Sequence, residues 1–329
     1  MIIWLASYPK SGNTWLRSMI ASYFYTKSGE FNFGLLNYID QFPSFTHFRD
    51  YKDSFEKPES TSKYWLDAQS KINADNKIKF LKTHNALCRI DNTIFTDQKN
   101  TLGAIYIIRD PRNVINSIFN HFDKKNYQEA LEFMQDEKRC LLHKENNRYL
   151  GFVSLFSWKT HQKSWLKNKL FPVLTIRYED LQDKTFETFK EVIDFVKSIT
   201  KSKKSFNREK AKKVIQSCQF EKMKKLEREK GFAESVKKKK DNKKIDFFHL
   251  GPKNNYKELL NKEIISEMNS LYKEELKEFK YDGHWWCHCP RLHNRARRNR
   301  SINTCSRILN RSGCNYHWWH LRAKVFGRG

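Results

Sequence analysis

The chain runs to 329 residues, carries 63 Lys and Arg against 37 Asp and Glu for a formal net charge of +26, and is 39% hydrophobic and 15% aromatic. That apolar content supports a core and argues against a fully disordered chain, and the length fits one large α/β domain or two modest ones. No run of about 18 apolar residues occurs, so no membrane span is expected.

The start, Met1-Ile2-Ile3-Trp4-Leu5-Ala6-Ser7, lacks the basic leader and the long apolar stretch of a signal peptide. Seven Cys at irregular spacing do not form a disulfide framework. A soluble, cytoplasmic protein of a reducing compartment is therefore expected. The basic charge calls for an anionic partner, and nucleic acid, acidic membranes and phosphate-bearing small molecules all qualify.

Ile2 to Ser7 is short and apolar like a buried strand, Lys10-Ser11-Gly12-Asn13-Thr14 forms a tight loop, and Trp15 to Phe24 has helical apolar spacing. Lys27 to Asn76 shows no firm periodicity and is a candidate cover for a site. Lys79 to His84 reads as a second strand ending in polar groups, and Leu102 to Ile108 as the clearest buried strand. The latter runs into Arg109-Asp110-Pro111-Arg112, with a helix beginning near Asn113 and Pro111 just before or inside its first turn. A helix is expected over Phe152–Lys167, a fourth strand over Pro172–Tyr178 and a further helix over about Thr185–Ser198. Beyond these, Asn207–Arg228 reads as a Lys-rich helix, Val236–Lys244 as a loop and Tyr256–Phe279 as a final helix. Alternating strands and helices predict a central, mostly parallel sheet flanked by helices on both faces. Ligands of such sheets sit outside the carboxyl ends of the strands. Lys10, Lys82-Thr83-His84, Arg109 and Tyr178 all fall at that edge.

A strand–loop–helix junction with a small Gly-containing loop concentrates backbone N–H groups and the positive end of a helix dipole, which suits an anion. The nucleotide-triphosphatase loop needs Lys after its second Gly, whereas Lys10 precedes the only Gly of this one. A plain structural turn with an exposed Lys stays open on these few residues alone.

The longer string Ser7-Tyr8-Pro9-Lys10-Ser11-Gly12-Asn13-Thr14-Trp15 resembles the 5′-phosphosulfate loop of sulfotransferases that use 3′-phosphoadenosine 5′-phosphosulfate (PAPS). Tyr106 to Ser117, with Arg109 and Ser117 eight residues apart, is similar to that family's second motif, and Lys82-Thr83-His84 to its Lys-Thr-His segment. Arg177-Tyr178-Glu179-Asp180-Leu181 and Phe220-Glu221-Lys222-Met223 follow in the family's order, so the resemblance covers residues 1–282. It implies a P-loop-like three-layer α/β sandwich and transfer of a sulfuryl group from PAPS to a hydroxyl, less readily an amine, of a small molecule or glycan. No metal is implied.

Carried over residue by residue, Lys10 stabilises the leaving phosphate and Ser11, Gly12, Asn13 and Thr14 bind the 5′-phosphate. His84 is the general base, with an ordinary imidazole pKa near 6.5 that suits the task, and Lys82 helps hold the sulfuryl oxygens. Arg109 and Ser117 take the 3′-phosphate; Trp15 and Phe220 stack on adenine; Tyr178 lies near the base. Read without the resemblance, His84 is a solvated strand-end histidine, Arg109 half of a surface pair with Asp110, and the aromatics core residues.

One stretch departs from the family pattern. Where an Arg-Lys-Gly is usual, this chain has His249-Leu250-Gly251; Gly251, Tyr256 and Lys257 fit, but two cations are missing. Weaker donor binding or altered 3′-phosphate recognition is expected, with Lys253 or the Lys237–Lys244 run as possible replacements. From Gly283 onward the composition changes to nine Arg and one Lys with no acid. That tail reads as an appended or out-of-frame extension outside a 1–282 domain. Zinc ligation by His284, Cys287, His288 and Cys289, or binding of RNA, are weaker readings of it. Rival readings of the whole chain are a nucleic-acid-binding protein, a nucleotide kinase-like phosphotransferase and a PAPS-binding pseudo-enzyme.

Overall fold

The computed structural model describes residues 1–145, 147–238 and 243–282; the expectations for the tail from Gly283 lie outside the described residues. Four parallel strands form the central sheet, β1 (Ile2–Ala6), β2 (Lys79–Thr83), β3 (Thr101–Ile108) and β4 (Val173–Arg177), in the order β2-β1-β3-β4. All five residues of β1 are buried, as a central strand covered on both faces requires.

Strand periodicity divides the core into two halves. Ile2, Trp4 and Ala6 join Ala104, Tyr106 and Ile108 on one face, packed by helices α2 (Pro111–His121) and α3 (Trp158–Leu166). Ile3, Leu5, Ile105 and Ile107 point to the other, under α1 (Asn13–Tyr25), α4 (Thr185–Thr200) and α5 (Arg208–Ser217). The result is the expected three-layer sandwich. Trp4 is fully buried and its indole N–H donates to Thr101 Oγ1 at 2.8 Å, so the polar end of the largest central side chain is satisfied. Truncating it to Ala should cost about 3–5 kcal/mol.

Four expected stretches come out differently. Residues 152–154 belong not to a helix but to an antiparallel hairpin of Cys140–Glu145 and Arg148–Ser154, and α3 starts only at Trp158, capped by the Ser157 hydroxyl. The Lys-rich helix is two: α5 ends at Ser217 and α6 (Phe220–Lys230) follows after a turn at Cys218 and Gln219. The final helix breaks into Tyr256–Leu259, Lys262–Leu271 and Lys273–Glu278; Asn255 caps its start, and at the first break Asn261 turns a side-chain oxygen onto Ile264 N–H and starts a new helix. In the stretch expected as a loop, Val236–Lys237 pairs antiparallel with Lys244–Ile245.

Candidate active site

The loop between β1 and α1 owes its shape to two left-handed residues, Lys10 at φ 67° and Gly12 at φ 101°. Gly12 is needed on steric grounds as well: a Cβ there would stand 2.5 Å from the Tyr178 ring. Asn13 ties the loop to the strand, its Nδ2 donating to Leu5 O at 2.8 Å and to Ser7 Oγ at 3.2 Å. No side chain caps α1. Its first N–H groups are therefore available to an anion. The Ser11 hydroxyl and Asn13 Oδ1 are buried without a hydrogen-bond partner, as is Arg109 Nε across the loop. Of these, Arg109 lines the cavity described below, and an unpartnered buried donor there calls for a ligand.

At the end of β2, Lys82 is buried with its Nζ 3.0 Å from Glu234 Oε1. His84 Nδ1 lies 2.8 Å from Ser7 O. A carbonyl only accepts, so Nδ1 carries the proton and Nε2 is the basic nitrogen. The backbone at His84 is held in turn: Tyr106 O–H donates to His161 Nδ1 (2.9 Å) and His161 Nε2–H donates to His84 O (3.1 Å). Burial, with the Lys82 charge adding to it, pushes the His84 pKa down to about 3. The ordinary value expected from sequence is thus corrected, and His84 is neutral across the physiological range.

At the end of β3, Arg109 Nη1 donates to Lys10 O at 3.2 Å and its guanidinium lies 4.0 Å over the Tyr178 ring. Asp110 and Arg112 form a separate buried pair at 2.7 Å that also grips Tyr281 O. Asp110 is thus committed to Arg112, and the surface Arg109–Asp110 pair is replaced by this one. Ser117, two turns into α2, accepts from Asn254 Nδ2 at 3.1 Å. Trp15 meets Tyr178 edge-on at 5.8 Å. Gly251 has φ 54°, and a Cβ there would stand 2.5 Å from the Phe220 ring.

These groups surround one cavity of about 530 Å³, lined by Lys10, Gly12, Asn13, Thr14, Trp15, Lys82, His84, Arg109, Ser117, Tyr178, Phe220 and Gly251 among others. The volume falls within the range of small-molecule sites. Of the residues expected from sequence, Ser11 alone does not line it; its side chain is buried behind the loop. From the Lys27–Asn76 stretch only Gln41 is in the lining, so most of that stretch lies elsewhere. Lys253 is not among the described residues that line the cavity. His249 does line it, and burial, then the Lys224 charge, lowers its pKa and keeps it neutral.

The sequence reading missed Glu234. Among the described lining residues it is the one carboxylate, against Lys10, Lys82 and Arg109. It binds Arg17 Nη1 at 2.9 Å and accepts from Thr14 Oγ1 at 3.0 Å, and the Lys82 and Arg17 charges hold its carboxyl far below the usual range despite burial. The only sequence trace is a lone acid between Lys230 and Lys240. Among the described residues Lys10 Nζ meets no carboxylate at ion-pair distance; it lies 3.8 Å over the Phe247 ring, and burial, helped by Lys82 and Arg109, lowers its pKa to about 7. Among the described lining residues, cations thus outnumber carboxylates three to one.

A family model described as the sulfotransferase domain matches residues 2–280. The chain belongs to the sulfotransferase domain family. It is 26% identical to Sulfotransferase 1A1 of Mus musculus over 154 residues, which is 44% of this chain and 45% of that protein. It is 28% identical to Sulfotransferase 1B1 of Canis lupus familiaris over 148 residues, 44% of each. The matched stretch thus spans less than half the length of these curated relatives. Two solved structures superpose on most of the chain. Retinol dehydratase, in complex with androsterone and inactive cofactor PAP, gives a TM-score of 0.52 at 16% identity, covering 84% of this chain and 81% of that one. Mouse sulfotransferase SULT7A1, complexed with PAP, gives 0.51 at 19% identity, covering 84% of each. Both share the parallel sheet flanked by helices. No helix among the described residues is long and apolar enough to cross a membrane.

Proposed function

We propose that this sulfotransferase-family protein transfers a sulfuryl group from PAPS to a hydroxyl of a small-molecule or glycan acceptor. One observation carries the reading: three cations, a helix N-terminus without a side-chain cap and a neutral imidazole, delivered by separate strand ends, face one cavity. A doubly phosphorylated adenosine donor fits this set. The N–H groups of Ser11 to Thr14 receive its 5′-phosphate, Arg109 and Ser117 its 3′-phosphate, and Trp15, Tyr178 and Phe220 its base. The donor supplies an activated sulfuryl group on a phosphate leaving group. Transfer forms a bond from the acceptor oxygen to sulfur and breaks the bond from sulfur to the bridging phosphate oxygen.

His84 takes the acceptor proton on Nε2. Its low basicity in the free site rises once an anionic group lies opposite, because the imidazolium then gains a partner. Lys10 places its ammonium where charge grows on the leaving oxygen, and Lys82 steadies the transferring oxygens. With most of the barrier lowered by positioning and charge, no metal is required of these residues.

The test is equilibrium binding of PAP, the desulfated product. Stoichiometric binding with weak salt dependence supports the reading. Binding to polynucleotides with a steep salt dependence, and none to PAP, would favour the nucleic-acid alternative. PAP binding without turnover on any acceptor would leave the pseudo-enzyme.

A further inference from the structure

We propose that Glu234 is an internal competitor for the sulfuryl and 5′-phosphate end of the donor, and that its displacement decides which anions the site accepts. This rests on the sulfotransferase reading above. Its carboxylate takes Lys82 Nζ at 3.0 Å and Thr14 Oγ1 at 3.0 Å, two groups which that reading assigns to the donor. Thr14 has a single O–H and cannot donate to both at once. A phosphosulfate placed beside the carboxylate would also meet a like charge in a buried site, which costs far more than in water. Arg17, behind the loop, completes the grip at 2.9 Å.

The carboxylate rides on a short strap, residues 231–235, whose two anchors lie outside the cavity. Phe232 stacks on Phe33 at a centroid distance of 4.6 Å, and the Ser235 hydroxyl donates to Glu227, whose carboxylate also accepts from the N–H groups of Phe247 and Phe248. The strap leaves α6 at Gly231, which has φ 73° and open space where a Cβ would sit, a left-handed position that glycine adopts without strain.

The consequence is selectivity. An inorganic anion gains only the loop and must break three charge-assisted contacts to enter. The donor brings further binding energy from its 3′-phosphate and base, at Arg109, Ser117 and Phe220, and can use it to expel the carboxylate. Glu234 therefore raises the threshold for sulfate and phosphate more than for the full donor.

Titration calorimetry with PAP and with inorganic sulfate, and stopped-flow tryptophan fluorescence with PAP, test this on wild type and Glu234→Gln. The variant should bind PAP about tenfold tighter or more and take up sulfate that wild type refuses. The observed association rate should plateau with PAP concentration in wild type, limited by strap release, and rise linearly in the variant. Should Glu234→Gln fail to fold, Glu234→Asp, one methylene short of its partners, and Phe232→Ala, which loosens the strap, should move affinity and rate in the same direction. Wild type binding PAP with the variants equal or weaker overturns the role of Glu234 and leaves the sulfotransferase reading standing. Tighter binding with linear rates in both proteins reduces Glu234 to a background charge and overturns displacement. No PAP binding by any of them overturns the underlying reading itself.

Discussion

Lys10 sets a pH dependence that can be worked out in advance. Its ammonium is lowered to about 7 in the free site because burial strips its hydration, and Lys82 and Arg109 oppose it while Glu234 and Glu227 favour it. An anionic donor at Lys10 raises that pKa again, so binding above neutrality must take up a proton. The charged fraction of free Lys10 is about one half at pH 7 and about 1% at pH 9, which makes PAP affinity fall about 50-fold over that interval. Phosphate ionisation near pH 6 is complete by then and does not offset the loss. Calorimetry in two buffers of different ionisation enthalpy should show proton uptake rising from about one half toward one across the same range. Lys10→Arg, charged throughout, should bind with a flat profile. The same linkage acts on folding: the unfolded chain keeps the Lys10 proton that the folded one sheds, so this residue's contribution to stability improves as pH rises from about 7 toward its ordinary value. Affinity that is constant from pH 7 to 9, or an equal slope in Lys10→Arg, would refute the assignment.

Other substitutions separate the remaining roles. The His84 ring resonances should show no titration near pH 6.5 in the free protein, read by NMR against His84→Gln, and His84→Ala should lower turnover about 100-fold or more with PAP affinity little changed. Gly251→Ala places a Cβ in the Phe220 ring at a left-handed backbone position, and a loss of about 1–3 kcal/mol should appear as a lower Tm and weaker PAP binding. His249→Arg with Leu250→Lys adds two cations to the wall of the same cavity and should tighten PAP about tenfold or more without affecting adenosine 5′-phosphate, measured by calorimetry. Truncation after Asp282 should leave Tm and PAP binding unchanged by scanning calorimetry and titration.

Much of this site was legible because the fold delivers it in a simple way. Runs such as Ile2–Ala6 and Leu102–Ile108 are largely apolar, and a parallel sheet aligns their polar ends at Lys10 and Arg109 on one edge. Other features depend on contacts that spacing does not encode. Phe152, Leu155 and Trp158 recur every third residue, which mimics a helix, yet the first of them closes a hairpin with Cys140–Glu145. Glu234 reaches Thr14, 220 positions away in sequence, across a strap with no periodicity of its own. The low basicity of His84 is likewise tertiary, a product of burial against Lys82. The helix break at Asn261 was readable in principle, since Asn is a strong cap former, but the apolar spacing runs on through it.

The most direct measurement is transfer of label from [35S]PAPS over a panel of phenolic, lipid and sugar hydroxyl acceptors, with Lys10→Ala and His84→Ala alongside the wild type. Labelled product from wild type that drops at least about 100-fold in both variants is the expected result. Labelled product formed equally well by both variants would contradict the site built around Lys10, His84 and Arg109.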